Sequence, residues 1–410
     1  GGGAFTQPLV NDNFGGYTVG GQVASDTRLV LTGNPLGLGN ISGTPSTEIS
    51  NILTGPFNNT GVPGAKSFHL LSDSYGNITG LESGTANPYF VRMASSSYAT
   101  MLGDAVAQNP TFFSIWIGNN DILGFATSGG SGVDQTGNLD PTTYGSNDIT
   151  DPTLFLGTYD ALISGLTENG AKGVVMNIPS VTAIPYFTTV PFAPLSPANP
   201  DFGSQIPTLN GIFSQLNGVY AFLGVPERSI VFSETSASPV VIIDETLENK
   251  SAEITGTFLA NPAFETFVVE SLGLPAQAAP LVASLLGTTY GQSRQANAND
   301  LLVLPSSSII GTVNQTKATE LEQQGLPADM AAQFSSEGVT LPLEDKWVLT
   351  SDEKNKVSTA QNAYNNSISM LAAANDNVIL VDVNSALNQL ANGGLTSNGV
   401  TITDEFISGG

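Results

Sequence analysis

The sequence predicts an α/β domain built on a covered, mainly parallel sheet and interrupted by a mostly helical insertion. Three observations predict it. The runs Phe112–Ile117, Gly173–Ile178 and Val378–Val383 are apolar without polar alternation, the pattern of strands covered on both faces. Between them lie stretches whose apolar residues recur at helical spacing. The first run breaks abruptly into Gly118-Asn119-Asn120-Asp121, a turn at the carboxyl end of a strand, where open α/β sheets place ligands.

Taken in order, residues 1–60 are loop-rich, with Gly15-Gly16, Gly20-Gly21 and one short apolar stretch, Leu29–Leu31, that reads as a strand. Gly61-Val62-Pro63-Gly64 forms a turn. Tyr98, Met101, Leu102 and Val106 predict a helix over 94–107, followed by the Phe112–Ile117 strand. Residues 127–152 read as a surface loop rich in Gly, Ser, Thr and Asp. A helix over 153–168 starts at Asp151-Pro152, a capping residue followed by proline in the first turn. After the Gly173–Ile178 strand, Leu209, Ile212, Phe213, Leu216, Tyr220 and Leu223 mark one face of a helix over 207–223. Val240–Ile243 reads as a further strand. Residues 245–350 break the rhythm. Two echoing stretches there, Gly273-Leu274-Pro275-Ala276 and Gly325-Leu326-Pro327-Ala328, each open an Ala-rich helical segment. The region reads as an insertion, a lid or cap. A helix over 352–374 and the strand Val378–Val383 return to the sheet. The division is therefore 1–244 for the α/β domain, 245–350 for the insertion and 351–410 for the return.

Composition narrows the function. Eleven Lys and Arg against 35 Asp and Glu give a formal net charge of -24, which repels phosphate backbones and argues against nucleic-acid partners. No apolar run reaches the ~18 residues of a membrane span. The chain has no cysteine, which removes thiolate nucleophiles, disulfides and zinc–thiolate sites together. One histidine and no calcium-loop spacing leave no metal site, and no cofactor is implied. Abundant Gly, Asn, Ser and Thr with scarce Lys suit an exported protein, placed outside the cell, at its surface or in a periplasm. Nothing in the sequence sets the oligomeric state.

The strand that delivers Gly118-Asn119-Asn120-Asp121 suggests chemistry. Glycine permits the sharp turn, and an asparagine amide there can donate a hydrogen bond to a developing oxyanion. The same residues fit a tight loop held by Asx turns. The stretch resembles the G-x-N-D block of the SGNH/GDSL hydrolases. Asn59-Thr60-Gly61-Val62-Pro63-Gly64-Ala65-Lys66-Ser67 is similar to that family's glycine block. The resemblance puts two oxyanion-hole donors on Gly64 and Asn120, with Gly118, Asn119 and Asp121 supporting the loop. Phe5-Thr6-Gln7-Pro8 and Gly170-Ala171-Lys172-Gly173-Val174-Val175 are similar to a long Bacteroidetes-type subgroup. The family implies a three-layer α/β/α sandwich with a flavodoxin-like sheet. It also implies a serine ester hydrolase, a lipase or esterase, acting on a small-molecule, lipid or acylated-glycan ester.

Two of the family's blocks have no counterpart. No Gly-Asp-Ser occurs; the nearest mimic, Leu29-Val30-Leu31-Thr32-Gly33-Asn34-Pro35-Leu36, has proline where the nucleophile belongs. No Asp-x-x-His occurs; the single histidine, His69, follows Lys66 and reads as structural. A serine without a base is a poor nucleophile. The chain is thus expected to be inactive alone. In the family the serine block precedes the region matched from Gly1 onward and the histidine block follows shortly after Phe406-Ile407-Ser408-Gly409-Gly410, so one expectation covers both absences: the chain is the interior of a longer enzyme. The alternative is a non-catalytic surface binding protein on the same scaffold, with Pro35 marking a decayed block.

Overall fold

A computed structural model of the chain describes residues 5–32 and 37–403. Within them the protein is mixed α/β. Its central sheet has three parallel strands: β1 (Phe112–Ile115), β2 (Lys172–Met176) and β3 (Val378–Val381). They stand in the order β3-β2-β1. In register, Phe113 lies beside Gly173 and Gly173 beside Val378; Ile115 lies beside Val175 and Val175 beside Leu380. Gly173 is where a side chain would not fit, because an added Cβ would stand 2.3 Å from the Phe113 ring.

Two long helices cover one face of this sheet. The first is α2 (Pro152–Thr167); α1 (Asn120–Thr127) precedes it and leads out of the β1 turn. Asp151 caps α2 by accepting from the backbone N–H groups of Thr153 and Leu154 at 2.7 and 2.8 Å, and Pro152 occupies the first turn. The other covering helix is Ser351–Ala373, capped reciprocally by Thr350 and Glu353. Phe155 of α2 stacks on Tyr364 of that helix at 4.2 Å, over Val175 and Ile115. Each such fully buried aromatic contributes ~1.5–3 kcal/mol of transfer free energy.

The opposite face is open, which corrects the expectation that these strands are buried on both sides. Burial alternates along β1: Phe113 and Ile115 are buried, whereas Phe112 and Trp116 are 62% and 51% exposed. Ile379 and Val381 on β3 face the same way and are exposed. An apolar run signals a strand but does not show that both of its faces have a covering layer.

A second core is separate from the first. It collects apolar side chains from Val190 to Val348, among them those of α3 (Ile206–Phe222), α4 (Ser251–Ala260) and α5 (Ala279–Tyr290). Helix α3 and the strand Val241–Ile243 lie here rather than against the sheet. That strand pairs antiparallel with Ser293–Gln295. The helix completing the first core, Ser351–Ala373, is α6. The two cores meet on an antiparallel ladder of Leu301–Leu302 with Val348–Leu349. Leu302 and Val348 face the second core, and Leu349 faces the first. Trp347 packs against both.

The N-terminal region is irregular. The expected strand at Leu29 exists as Leu29–Thr32, but it pairs antiparallel with Gly37–Asn40 and not with the central sheet. Gly33 to Leu36, which would carry the altered nucleophile block, lie outside the described residues, as do Gly1-Gly2-Gly3 and the terminal Ser408-Gly409-Gly410. The helix expected over 94–107 is confined to Met101–Val106, with Thr100 as its cap; Tyr98 is 72% exposed and outside it. No helix among the described residues is long and apolar enough to cross a membrane.

Candidate functional site

The sheet ends at β1 in a turn with demanding geometry. Gly118 is buried at φ 116°, and an added Cβ would stand 2.5 Å from Ile178 Cδ1 and 2.9 Å from the Phe155 ring. Only glycine fits both the backbone angle and the space. The chain then enters α1, with Asn119 at its N-cap and Asn120 as its first residue. Both asparagines are partly exposed, whereas Asp121 is fully buried.

The Gly64 turn meets this one. Gly64 is exposed at φ 79°, with open space around it; the nearest atom to an added Cβ, Asn87 Nδ2, is 3.9 Å away. The Asn120 side-chain amide donates to the carbonyl of Ala65 at 2.9 Å. Asp121 accepts from the Ser67 backbone N–H at 2.8 Å and from the Ser67 hydroxyl at 2.7 Å. Residues 64–67 are thus tied to residues 120–121 by three hydrogen bonds across more than fifty positions of sequence. Asn87 holds the other side, donating to the Pro63 carbonyl at 2.9 Å and to the Tyr75 hydroxyl at 3.1 Å.

Charge beneath the turn is arranged against its usual cost. Lys66 is buried, and its ammonium donates to the carbonyls of Asp148 at 2.7 Å and Gly145 at 3.4 Å. Burial lowers its pKa, opposed by the charges of Asp121 and Asp148. Burial also raises the pKa of Asp121, against the two Ser67 hydrogen bonds. Each group limits the desolvation cost of the other by proximity.

His69 is committed to the fold. Its Nδ1 accepts from the Lys66 backbone N–H at 3.0 Å, and its ring stacks on Tyr75 at 4.1 Å. Burial first, and then the Lys66 cation, pull its pKa down to about 4, so the imidazole is neutral at pH 7. Among the described residues, no serine or threonine hydroxyl hydrogen-bonds to it. Nor is any group of three or more His, Asp or Glu placed to hold a metal ion.

What remains at the surface is a set of donors. One Asn120 amide hydrogen goes to Ala65, and the other is left for a ligand. The Asp121 and Ile122 N–H groups of α1 donate to the Gly118 and Asn119 carbonyls at 3.2 and 3.3 Å, whereas Gly64 N–H and Asn120 N–H make no hydrogen bond to the described residues. Such groups can bind an anion or a polarised carbonyl oxygen.

All five residues singled out in the sequence are therefore in or against one junction. Gly118, Asn119, Asn120 and Asp121 form the turn, and Gly64 belongs to the loop tied to it. Ala65, Lys66 and Ser67 are the partners the sequence did not single out. Their spacing carries no signal, since a carbonyl, a lysine and a serine after a glycine turn are unremarkable until Asp121 is seen buried against them. Comparison with protein families, with curated proteins and with solved structures finds no match.

Proposed function

We propose that this junction is the oxyanion-binding part of an ester hydrolase of SGNH/GDSL type. The observation that carries it is the Asn120–Ala65 hydrogen bond, which holds the Gly64 turn against the asparagine turn at the carboxyl end of β1. Gly64 N–H and the second Asn120 amide hydrogen would stabilise the tetrahedral intermediate, with Gly118, Asn119 and Asp121 shaping the loop. The substrate would be a small-molecule, lipid or acylated-glycan ester, and no cofactor takes part. The reading brings a three-layer sandwich with it, since a parallel sheet takes a second helical layer over a face such as that of Phe112 and Trp116. An exported location outside the cell, at its surface or in a periplasm, fits the charge of -24.

The nucleophile and base of this chemistry match no residue of the chain, so the 410-residue protein is expected to hydrolyse no chromogenic ester. The donors can still be tested. In protein labelled with ¹⁵N at Asn and Gly, titration with butyrate should shift the Asn120 side-chain amide and the Gly64 N–H together. A carboxylate that moves neither signal up to molar concentration removes both from an oxyanion site.

A second reading is a non-catalytic binding protein on the same scaffold. It is favoured by the commitments of His69 to Lys66 and Tyr75 and of the Ser67 hydroxyl to Asp121. It predicts that the Gly64 and Asn120 donors bind a carboxylate in a protein that turns over no ester.

A further inference from the structure

The two cores are joined where the second returns to the first, and two carboxyl groups meet there. Asp345 opens the turn Asp345–Trp347, just before the ladder on which the cores meet, and Glu353 lies in the first turn of α6. Both carboxyl groups border the Gly129-Gly130-Ser131 loop, close enough that the charge of Asp345 opposes ionisation of Glu353. Each is also fastened to a different segment. Asp345 Oδ2 accepts from the Ser131 hydroxyl at 2.7 Å, in the loop that follows α1. Glu353 Oε2 accepts from the Thr350 N–H and hydroxyl, both at 2.7 Å.

The loop is shaped to admit them. An added Cβ on Gly130 would stand 2.3 Å from the Glu353 carboxyl, and one on Gly129 would stand 2.0 Å from the Asp345 carbonyl oxygen. Both glycines have positive φ, 89° and 67°. The Gly129-Gly130-Ser131 loop is thus a cradle for the acid pair.

We propose that the Asp345–Glu353 pair is a proton-held latch between the two cores, closed while one proton bridges the carboxyls and loosened when both ionise. Lys356 offsets part of a second negative charge, but its ammonium is shared with Asp352 and Asp134. Lys356 pairs with Asp352 at 2.9 Å and Lys346 with Glu344 at 2.5 Å. Lys354 donates to the Asn299 carbonyl, and Asp300, paired with Arg294, sits at the Ser351 N–H. The 129–131 loop brings no charge.

The sign follows from the direction of the shift. Burial and then Asp345 raise the Glu353 pKa to about 7, and burial raises that of Asp345 as well. Burial first, and then the Glu344 charge, raise the pKa of Glu337 too. Carboxyls raised on closing bind more protons when closed, so closure is strongest below their ordinary pKa. It weakens as pH rises to about 7.

The test is amide exchange on the full chain between pH 5 and 8, corrected for intrinsic rates, read at residues 127–133 and 343–353. The opening constant there should rise by up to ~10-fold per pH unit between pH 5 and 7 and then level off. Glu353→Gln, whose amide donates to Asp345 without a proton, should flatten that rise. Asp345→Asn should move it down toward the ordinary glutamate range, and it serves if the first variant does not fold. Protection that is flat with pH in the natural chain, or a rise that survives both substitutions, overturns the latch.

Discussion

Asp121 is fully buried and accepts two hydrogen bonds from Ser67, from its backbone N–H at 2.8 Å and from its hydroxyl at 2.7 Å. This pair fixes the height of the Gly64 loop over the start of α1. Hydrogen bonds to a charged acceptor contribute ~1.5–3 kcal/mol each, and removing the acceptor also takes away one of the two charges that offset the burial of Lys66. Asp121→Ala should therefore lower stability by ~3–5 kcal/mol in urea unfolding. Asp121→Asn keeps one acceptor oxygen and should cost less. A loss below ~1 kcal/mol for the alanine variant would show that the loop is held by other contacts.

The two glycines of the site make opposite predictions. Gly64→Ala meets open space and pays only for a left-handed backbone, ~1–2 kcal/mol. Gly118→Ala pays for its backbone and must also push Ile178 and Phe155 aside, so it should cost more by ~1–3 kcal/mol. Thermal melting of the two variants side by side decides this. Equal losses would mean that the β1 turn relaxes where the static geometry says it does not.

Phe112 and Trp116 stand on the open face of the sheet, beside the edge of β1, which pairs with no further strand among the described residues. An exposed apolar face next to a free edge favours association between chains. The double variant Phe112→Lys, Trp116→Lys should stay monomeric at concentrations where the natural chain associates, with stability changed by less than ~1 kcal/mol. Light scattering and a urea melt give both values. Unchanged association would place the sticky surface elsewhere.

Much of this was legible in the sequence, for identifiable reasons. All three parallel strands were readable because apolar runs bounded by turns have few other solutions. The helices Pro152–Thr167, Ile206–Phe222 and Ser351–Ala373 lie within a residue or so of their expected bounds, because caps and periodicity agree there. The 94–107 helix was overextended because Tyr98 continues the helical spacing while its side chain points to water. The extent of the second core was hidden, since the stripe on α3 says that a face is buried but not against what. The Ser67–Asp121 and Asp345–Glu353 contacts were hidden for the same reason, as partners distant in sequence leave no local pattern.

Acid should act on the chain with the opposite sign at its N-terminal end. Glu48 accepts from the backbone N–H groups of Gly20 at 3.1 Å and Gly21 at 2.9 Å, and from the hydroxyls of Thr18 and Ser50 at 3.0 Å each. The Gly21 N–H first, joined by the Ser50 and Thr18 bonds, pulls its pKa down to about 2 against the cost of desolvation. A depressed carboxylate favours the folded arrangement above its ordinary value near 4.5, and that support is lost as pH falls through about 2. Amide protection at Gly20 and Gly21 should therefore hold at pH 5 and collapse between pH 4 and 2. Over the same acid range the 343–353 segment should stay closed. Glu48→Gln should open residues 18–21 at every pH, because one amide oxygen cannot accept all four donors. If residues 18–21 and 343–353 instead lose protection together on acidification, a global acid transition governs both and neither carboxyl cluster acts locally.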